Sequence, residues 1–208
     1  MTCVSVFPFN DTNLNLSGKF IYLDTSIILE TVVVSNHRGR QVELYDFLER
    51  LTNEDAITVT SIKCWEEVRI RLTNMRIEAL RNGNDSSNKD IIEANVDLMD
   101  MVVETAACIQ KYFDNSLNHV ISPEPINLLM LDKASEIMKQ CNIAYPDALH
   151  SVIAAREQVD YIATLDGDYS KIINAPFSVL TNEYSYRKVL RKRGTHQQGN
   201  QKVCAVEV

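Results

Sequence analysis

Three aspartates, Asp24, Asp147 and Asp166, stand where the chain pattern brings them toward one place. Asp24 directly follows the apolar run Phe20-Ile21-Tyr22-Leu23, and Asp166 closely follows Tyr161-Ile162-Ala163-Thr164. Both runs read as short strands buried on two faces. Asp147 follows Pro146 at the start of a helix that leads into the second of these strands. In an open α/β sheet, ligands bind outside the carboxyl ends of the strands, so Asp24 and Asp166 are expected to face one crevice. Crowded carboxylates repel one another, and a hard divalent cation such as magnesium is the usual compensation. Magnesium takes oxygen ligands, keeps several waters and bridges to phosphate. Such a site suits in-line attack of water on a phosphodiester.

Each acid also has a plainer explanation. Asp147 is a natural helix N-terminal acid, and Asp166-Gly167-Asp168 is ordinary turn chemistry. Glu67 stands four residues from both Lys63 and Arg71, so a surface ion-pair ladder accounts for it. Asp24 is the hardest to explain away, because a charge placed directly after a doubly buried strand needs a partner.

The elements that must hold these residues follow from periodicity. Residues 56–60 and 177–180 read as two further strands, and residues 41–51 place Val42, Tyr45 and Leu48 at helical spacing, beside Leu44 and Leu51. A helix starting near Ser61 carries Ile62, Trp65, Val68, Leu72 and Met75 as its apolar stripe. After a turn-rich loop at 81–89, the spacing predicts one long helix over about 90–118. Its main apolar line is Ile92, Val96, Met99, Val103, Ala106, Phe113 and Leu117, widened by Ile91, Leu98, Val102, Ile109 and Tyr112. Burial against other helices is expected, with a dimer interface as part of it. A helix at 126–140 follows Pro123 and Pro125, and the one beginning at Pro146 buries Ala148, Leu149, Val152 and Ile153. The alternation is that of an α/β protein with a parallel sheet. Residues 1–18 lack periodicity apart from the apolar run at 4–9. After Tyr186 the chain turns basic (Arg187, Lys188, Arg191, Lys192, Arg193) and then polar, which reads as a disordered tail.

The 208 residues, 45% hydrophobic and 24% charged, exclude wholesale disorder. Lys plus Arg is 21 against 28 Asp plus Glu, and the net charge of -7 excludes a protein whose whole surface binds nucleic acid by bulk charge. Contact with nucleic acid must come from a local basic patch, of which 187–193 is one candidate, or through metals on acidic groups. Five cysteines without a C-x-x-C pair suit free thiols in a reducing compartment. No basic leader and no uncharged apolar stretch of about 18 residues occurs, so a soluble, cytoplasmic protein with no membrane association is expected. Phosphate-binding glycine loops, H-E-x-x-H and G-x-S-x-G are all absent from the sequence. His150, one turn beyond Asp147, reads as a supporting or packing residue rather than a general base, and Trp65 as core.

Taken in order, four motifs make a pattern. They are Ile21-Tyr22-Leu23-Asp24-Thr25-Ser26, Ser61-x5-Glu67-Val68, Asp147-Ala148-Leu149-His150 and Thr164-Leu165-Asp166-Gly167-Asp168-Tyr169. Together they resemble the PIN-domain family, and within it VapC-type toxin ribonucleases and related stand-alone PIN proteins. The resemblance spans residues 20 to about 180, apart from a poorly matching middle. It implies a three-layer α/β/α fold with a central parallel sheet, and magnesium- or manganese-dependent endoribonuclease activity. It makes Asp24, Glu67, Asp147 and Asp166 the metal-binding, catalytic acids, with Asp168 as a supporting ligand. Glu67 is preferred over the adjoining Glu66 because the apolar Val68 follows it. Thr25, Ser26 and Thr164 become hydroxyls that orient those carboxylates or contact substrate, and Lys63 and Arg71 are expected to bind substrate beside them. The implied partners are an RNA substrate, an antitoxin protein and a second copy of the chain. The expected layout is a nuclease domain over 19–186, with a helical insertion at about 74–127 where compact toxins have a shorter helical pair, then a tail over 187–208. The rival readings are a catalytically silent PIN-like scaffold that binds RNA or protein, and a metal-dependent phosphatase. The latter's usual D-x-D-x-[TV] is missing, since Ser26 stands two residues after Asp24.

Overall fold

Strands composed of near-continuous apolar runs need cover on both faces. The computed structural model describes residues 4–32, 38–81, 86–123 and 125–196. Along the chain the strands are β1 (Val6–Pro8), β2 (Phe20–Leu23), β3 (Ile57–Ser61), β4 (Asn118–Ser122), β5 (Tyr161–Ala163) and β6 (Ser178–Thr181). The helices are α1 (Thr25–Glu30), α2 (Arg38–Asn53), α3 (Ile62–Arg81), α4 (Asn88–Ala94), α5 (Leu98–Ser116), α6 (Leu128–Cys141), α7 (Tyr145–Arg156) and α8 (Glu183–His196), with a 3-10 helix at Gly167–Lys171.

The strands form one parallel sheet in the order β1-β6-β5-β2-β3-β4. From β2 the chain moves outward through β3 and β4, then returns to β5 on the other side of β2. Right-handed crossovers in opposite directions place helices on opposite faces, which makes the three-layer α/β/α fold. The reversal falls between β2 and β5, whose ends are level because Leu23 pairs with Ala163. A crevice opens at such a reversal, beyond the carboxyl ends of the two strands. Ile21, Tyr22 and Leu23 of β2 and Ile162 and Ala163 of β5 are fully buried beneath it.

Three expectations about elements are corrected. First, the sheet begins before residue 19: β1 pairs with β6, Val4 and Phe9 are buried, and Phe9 stacks on Phe47 of α2 with ring centroids 4.2 Å apart. Arg50 of α2 fastens this segment by donating to the carbonyls of Phe9, Asp11 and Leu14. Second, residues 187–196 are not a disordered tail. They continue α8, where Val189 is buried and Arg193 donates to the carbonyls of Val4 (2.8 Å) and Ser170 (3.2 Å). The expected disorder of 197–208 lies outside the described residues.

Third, the single long helix is two helices and a strand. Ser87 caps α4 reciprocally with Asp90, and Asn95 closes it by donating its side-chain amide to the Ile91 carbonyl at 2.8 Å. α5 then buries Leu98, Val102, Ala106, Ile109 and Phe113, while Met99, Val103 and Tyr112 are exposed and Val96, between the helices, is 85% exposed. The expected main line is therefore split: Val96, Met99 and Val103 face outward, whereas Ala106, Phe113 and Leu117 are buried. The region 74–127 is not wholly helical either, because β4 pairs with β3 over five residues. Ile77, Ile91, Leu98 and Val102 make a small core separate from the main one. Likewise Val42 and Tyr45 of α2, and Ile62 and Met75 of α3, face solvent, whereas Phe47 and Cys64 are buried. Among the described residues no helix is long and apolar enough to cross a membrane, and no disulfide forms; Cys3 and Cys204 lie outside them.

Candidate active site

Asp24 leaves β2 and caps α1, where its extended backbone (φ -69°, ψ 155°) turns the carboxylate back over the helix start. That carboxylate is buried and tightly held. Its Oδ2 accepts from Ser26 Oγ (2.6 Å), from Thr164 Oγ1 (2.9 Å) and, at 3.4 Å, from the Ser26 N–H. Its Oδ1 accepts from the Tyr169 hydroxyl at 3.1 Å. Burial, reinforced by Asp24 and Asp147, pushes the Tyr169 phenol well above its ordinary value, so it remains a donor. The Thr164 and Ser26 hydroxyls in turn accept from the backbone N–H groups of Asp166 (2.9 Å) and Leu165 (3.0 Å). These hydroxyls tie the end of β2 to the end of β5.

Asp147 lies in the first turn of α7, after Pro146, with no side-chain cap on the preceding Ala144. A helix N-terminus by itself favours the ionised carboxylate. Here the reverse prevails. Burial, then the charges of Asp166 and Asp24, raise Asp147 from 3.8 to about 7, with Asp168 adding to the rise and His150 opposing it. Asp166 caps the 3-10 helix by accepting from the Asp168 N–H at 2.8 Å, and is itself exposed.

Glu67, on α3, faces the same crevice, whereas Glu66 points to solvent with its side chain 57% exposed. Glu67 Oε2 accepts from Thr25 Oγ1 and from His150 Nε2, both at 3.0 Å, and Lys63 Nζ lies 3.7 Å from Oε1. Burial works to raise the Glu67 pKa, but His150, Thr25 and Lys63 outweigh it and hold the group below its ordinary value. Burial likewise opposes a charge on His150, while Cys64, Glu67 and Asp24 together keep the imidazole well above its usual range. Cys64 Sγ sits 3.4 Å from the Leu23 carbonyl, a hydrogen bond that only the protonated thiol donates. A protonated thiol carries no charge to attract the imidazolium, so Glu67 and Asp24 supply that attraction.

Asp24, Glu67, Asp147 and Asp166 all line one cavity of about 750 Å³, together with Thr25, Ser26, Lys63 and Arg71. Two of the expected site residues are placed differently. Thr164 is 0% exposed with its hydroxyl committed between Asp24 and the Asp166 backbone, so it is not on the cavity wall. Asp168 is not on the cavity wall; its Oδ1 pairs with Lys171 Nζ at 2.8 Å. Tyr169, and His150 with Tyr22 behind it, are the supporting residues to which the sequence assigned no contact. Their signal was a polar ring within or beside a buried run.

The donor set suits magnesium better than a softer metal, being carboxylate oxygen throughout. Among the described residues no three His, Cys, Asp or Glu side chains are gathered closely enough to enclose an ion by themselves. Magnesium does not require that, since it is commonly held by one or two carboxylates, waters and substrate phosphate. Burial first, and then negative charge in excess of the local cations, hold Asp147 near neutrality, and that excess of charge is what a divalent cation relieves.

No family model and no curated protein matches the chain. Solved structures similar to it include VapC20 of Mycobacterium tuberculosis, a sarcin-ricin loop cleaving toxin. That likeness has 15% identity, covers 72% of this chain and 92% of that one, and has a TM-score of 0.44. FitAcB from Neisseria gonorrhoeae is similar at 17% identity, covering 79% of this chain and 98% of that one, with a TM-score of 0.43.

Proposed function

We propose that this chain is a metal-dependent endoribonuclease that hydrolyses phosphodiester bonds, with Asp24, Glu67, Asp147 and Asp166 as its catalytic acids. The observation that carries the reading is the gathering of these four carboxylates on one cavity wall at the sheet's reversal, where burial and then the charges of Asp166 and Asp24 raise Asp147 to about 7. Asp24, Glu67, Asp147 and Asp166 would together hold magnesium or manganese. When bound, such a cation supplies an acidified water and a counter-charge for the phosphodiester.

The chain's own residues do the rest. Asp24, fixed by Ser26, Thr164 and Tyr169, keeps its oxygens in place without reorganisation. Asp147, titrating near neutrality before a cation arrives, can hold or release a proton at its carboxyl oxygen. Lys63 and Arg71 offer positive charge to phosphates of a bound strand on the same wall, the local attraction that a net charge of -7 otherwise denies. The choice of RNA, and of an antitoxin protein and a homodimer as partners, rests on the motif resemblance. Met99, Met101 and Val103 of α5 are exposed apolar side chains that such partners would cover.

The test is cleavage of a labelled single-stranded RNA by purified protein. Cutting with magnesium or manganese, stopped by chelator and by Asp147→Asn, is expected. Undiminished cutting in chelator overturns the reading, and no cutting with either metal favours a silent scaffold.

A further inference from the structure

We propose that His150 is a positioning residue for Glu67, the far end of a buried relay whose function is to aim that carboxylate into the cavity. The inference rests on the nuclease reading for its consequence, though not for its geometry. His150 is 1% exposed in its side chain and does not reach the cavity wall. Both of its ring nitrogens are used. Nε2 lies 3.0 Å from Glu67 Oε2, and a carboxylate only accepts, so Nε2 carries the proton. Nδ1 lies 2.7 Å from the Tyr22 hydroxyl, which in turn is 2.8 Å from Ser61 Oγ. Ser61 Oγ accepts from the Cys64 N–H at 3.2 Å, which anchors the relay to the first turn of α3.

The arrangement works whether the imidazole is neutral or charged, because Tyr22 can donate to Nδ1 or accept from it. The relay joins four elements, β2 through Tyr22, the end of β3 through Ser61, α3 through Cys64 and Glu67, and α7 through His150. It therefore fixes Glu67 relative to the two elements that carry Asp24 and Asp147. Thr25 Oγ1 donates to the same oxygen of Glu67 at 3.0 Å, which leaves Oε1 directed toward Lys63 and the cavity. A ring placed only for packing would not need both nitrogens satisfied along one line toward a site carboxylate.

The full-length protein is tested with magnesium calorimetry and RNA cleavage. His150→Leu should lower magnesium affinity or kcat by about 10- to 100-fold, with KM for RNA little changed. His150→Gln, whose amide can donate to Glu67, should recover most of that loss. In a Glu67→Gln background, His150→Leu should add nothing further. Equal losses in both His150 variants, or losses that multiply in the double variant, reduce His150 to packing and overturn the proposal. A Nε2–H proton resonance of His150, present in wild type and shifted in Glu67→Gln, reads the contact independently of activity. Its insensitivity to Glu67→Gln overturns the proposal even where the His150 variants do not fold. Wild type that neither binds magnesium nor cleaves RNA refutes the nuclease reading, and the resonance still decides the positioning claim.

Discussion

Asp24 accepts from four donors, and that makes it the best-determined acid of the site. Removing one donor from a buried acidic side chain exposes part of its desolvation cost. Tyr169→Phe should therefore destabilise the protein by about 1.5–3 kcal/mol and lower cleavage, as read by urea denaturation and initial rates. Asp147 behaves in the opposite sense. Its carboxyl titrates higher when folded than the ordinary 3.8, so the metal-free folded state binds more protons between about pH 4 and 7. Stability in chelator should accordingly fall as pH rises through that interval, and Asp147→Asn should flatten the fall. Melts of both proteins at several pH values in chelator check this, and parallel curves would count against crowding at Asp147. The aspartates were legible because strand ends and a helix start announce themselves in sequence. The Thr25, Ser26 and Thr164 hydroxyls that hold the site carboxylates were expected too, but the Tyr169 and His150 contacts were not, because whether a Tyr or His ring reaches a carboxylate depends on packing between elements distant in the chain.

At the scale of elements, β2 and β5 were legible as apolar runs ending in acids, and the buried face of α7 was read correctly in Ala148, Leu149, Val152 and Ile153. The middle was not. Two overlapping apolar lines run along 90–118, and periodicity alone does not say which faces inward or that α4 closes at Asn95 and α5 starts afresh at Leu98. β4 has only two apolar residues, Val120 and Ile121, among its five positions at the sheet edge, a weak signal after a long helical pattern. α8 hid behind its charges, since Val189 and the Arg193 anchors are a small part of a basic sequence. The separate core of Ile77, Ile91, Leu98 and Val102 gives the α3–α4–α5 corner its own stability. Leu98→Ala should cost about 2–5 kcal/mol there. Amide exchange should then speed in α4 and the first turns of α5 well before it does in β2 and β5. Uniform loss of protection across the sheet would mean that the corner is not a separate unit.

For the whole molecule, a net charge of -7 and an acidic cavity at the sheet's reversal both repel a polyanion, so the proposed RNA substrate would need cations to mediate its approach to the acids. The account stands on the four carboxylates forming one cation-binding site, and thermal melts with and without magnesium address that directly. At ten times its dissociation constant, magnesium should stabilise wild type by about 1.4 kcal/mol, since it binds the folded state alone. For a domain of this size that is roughly 3–6 °C in Tm. Asp147→Asn should lose most of that shift while melting, metal-free, no lower than wild type. An equal magnesium shift in both proteins, or none in either, would contradict the account.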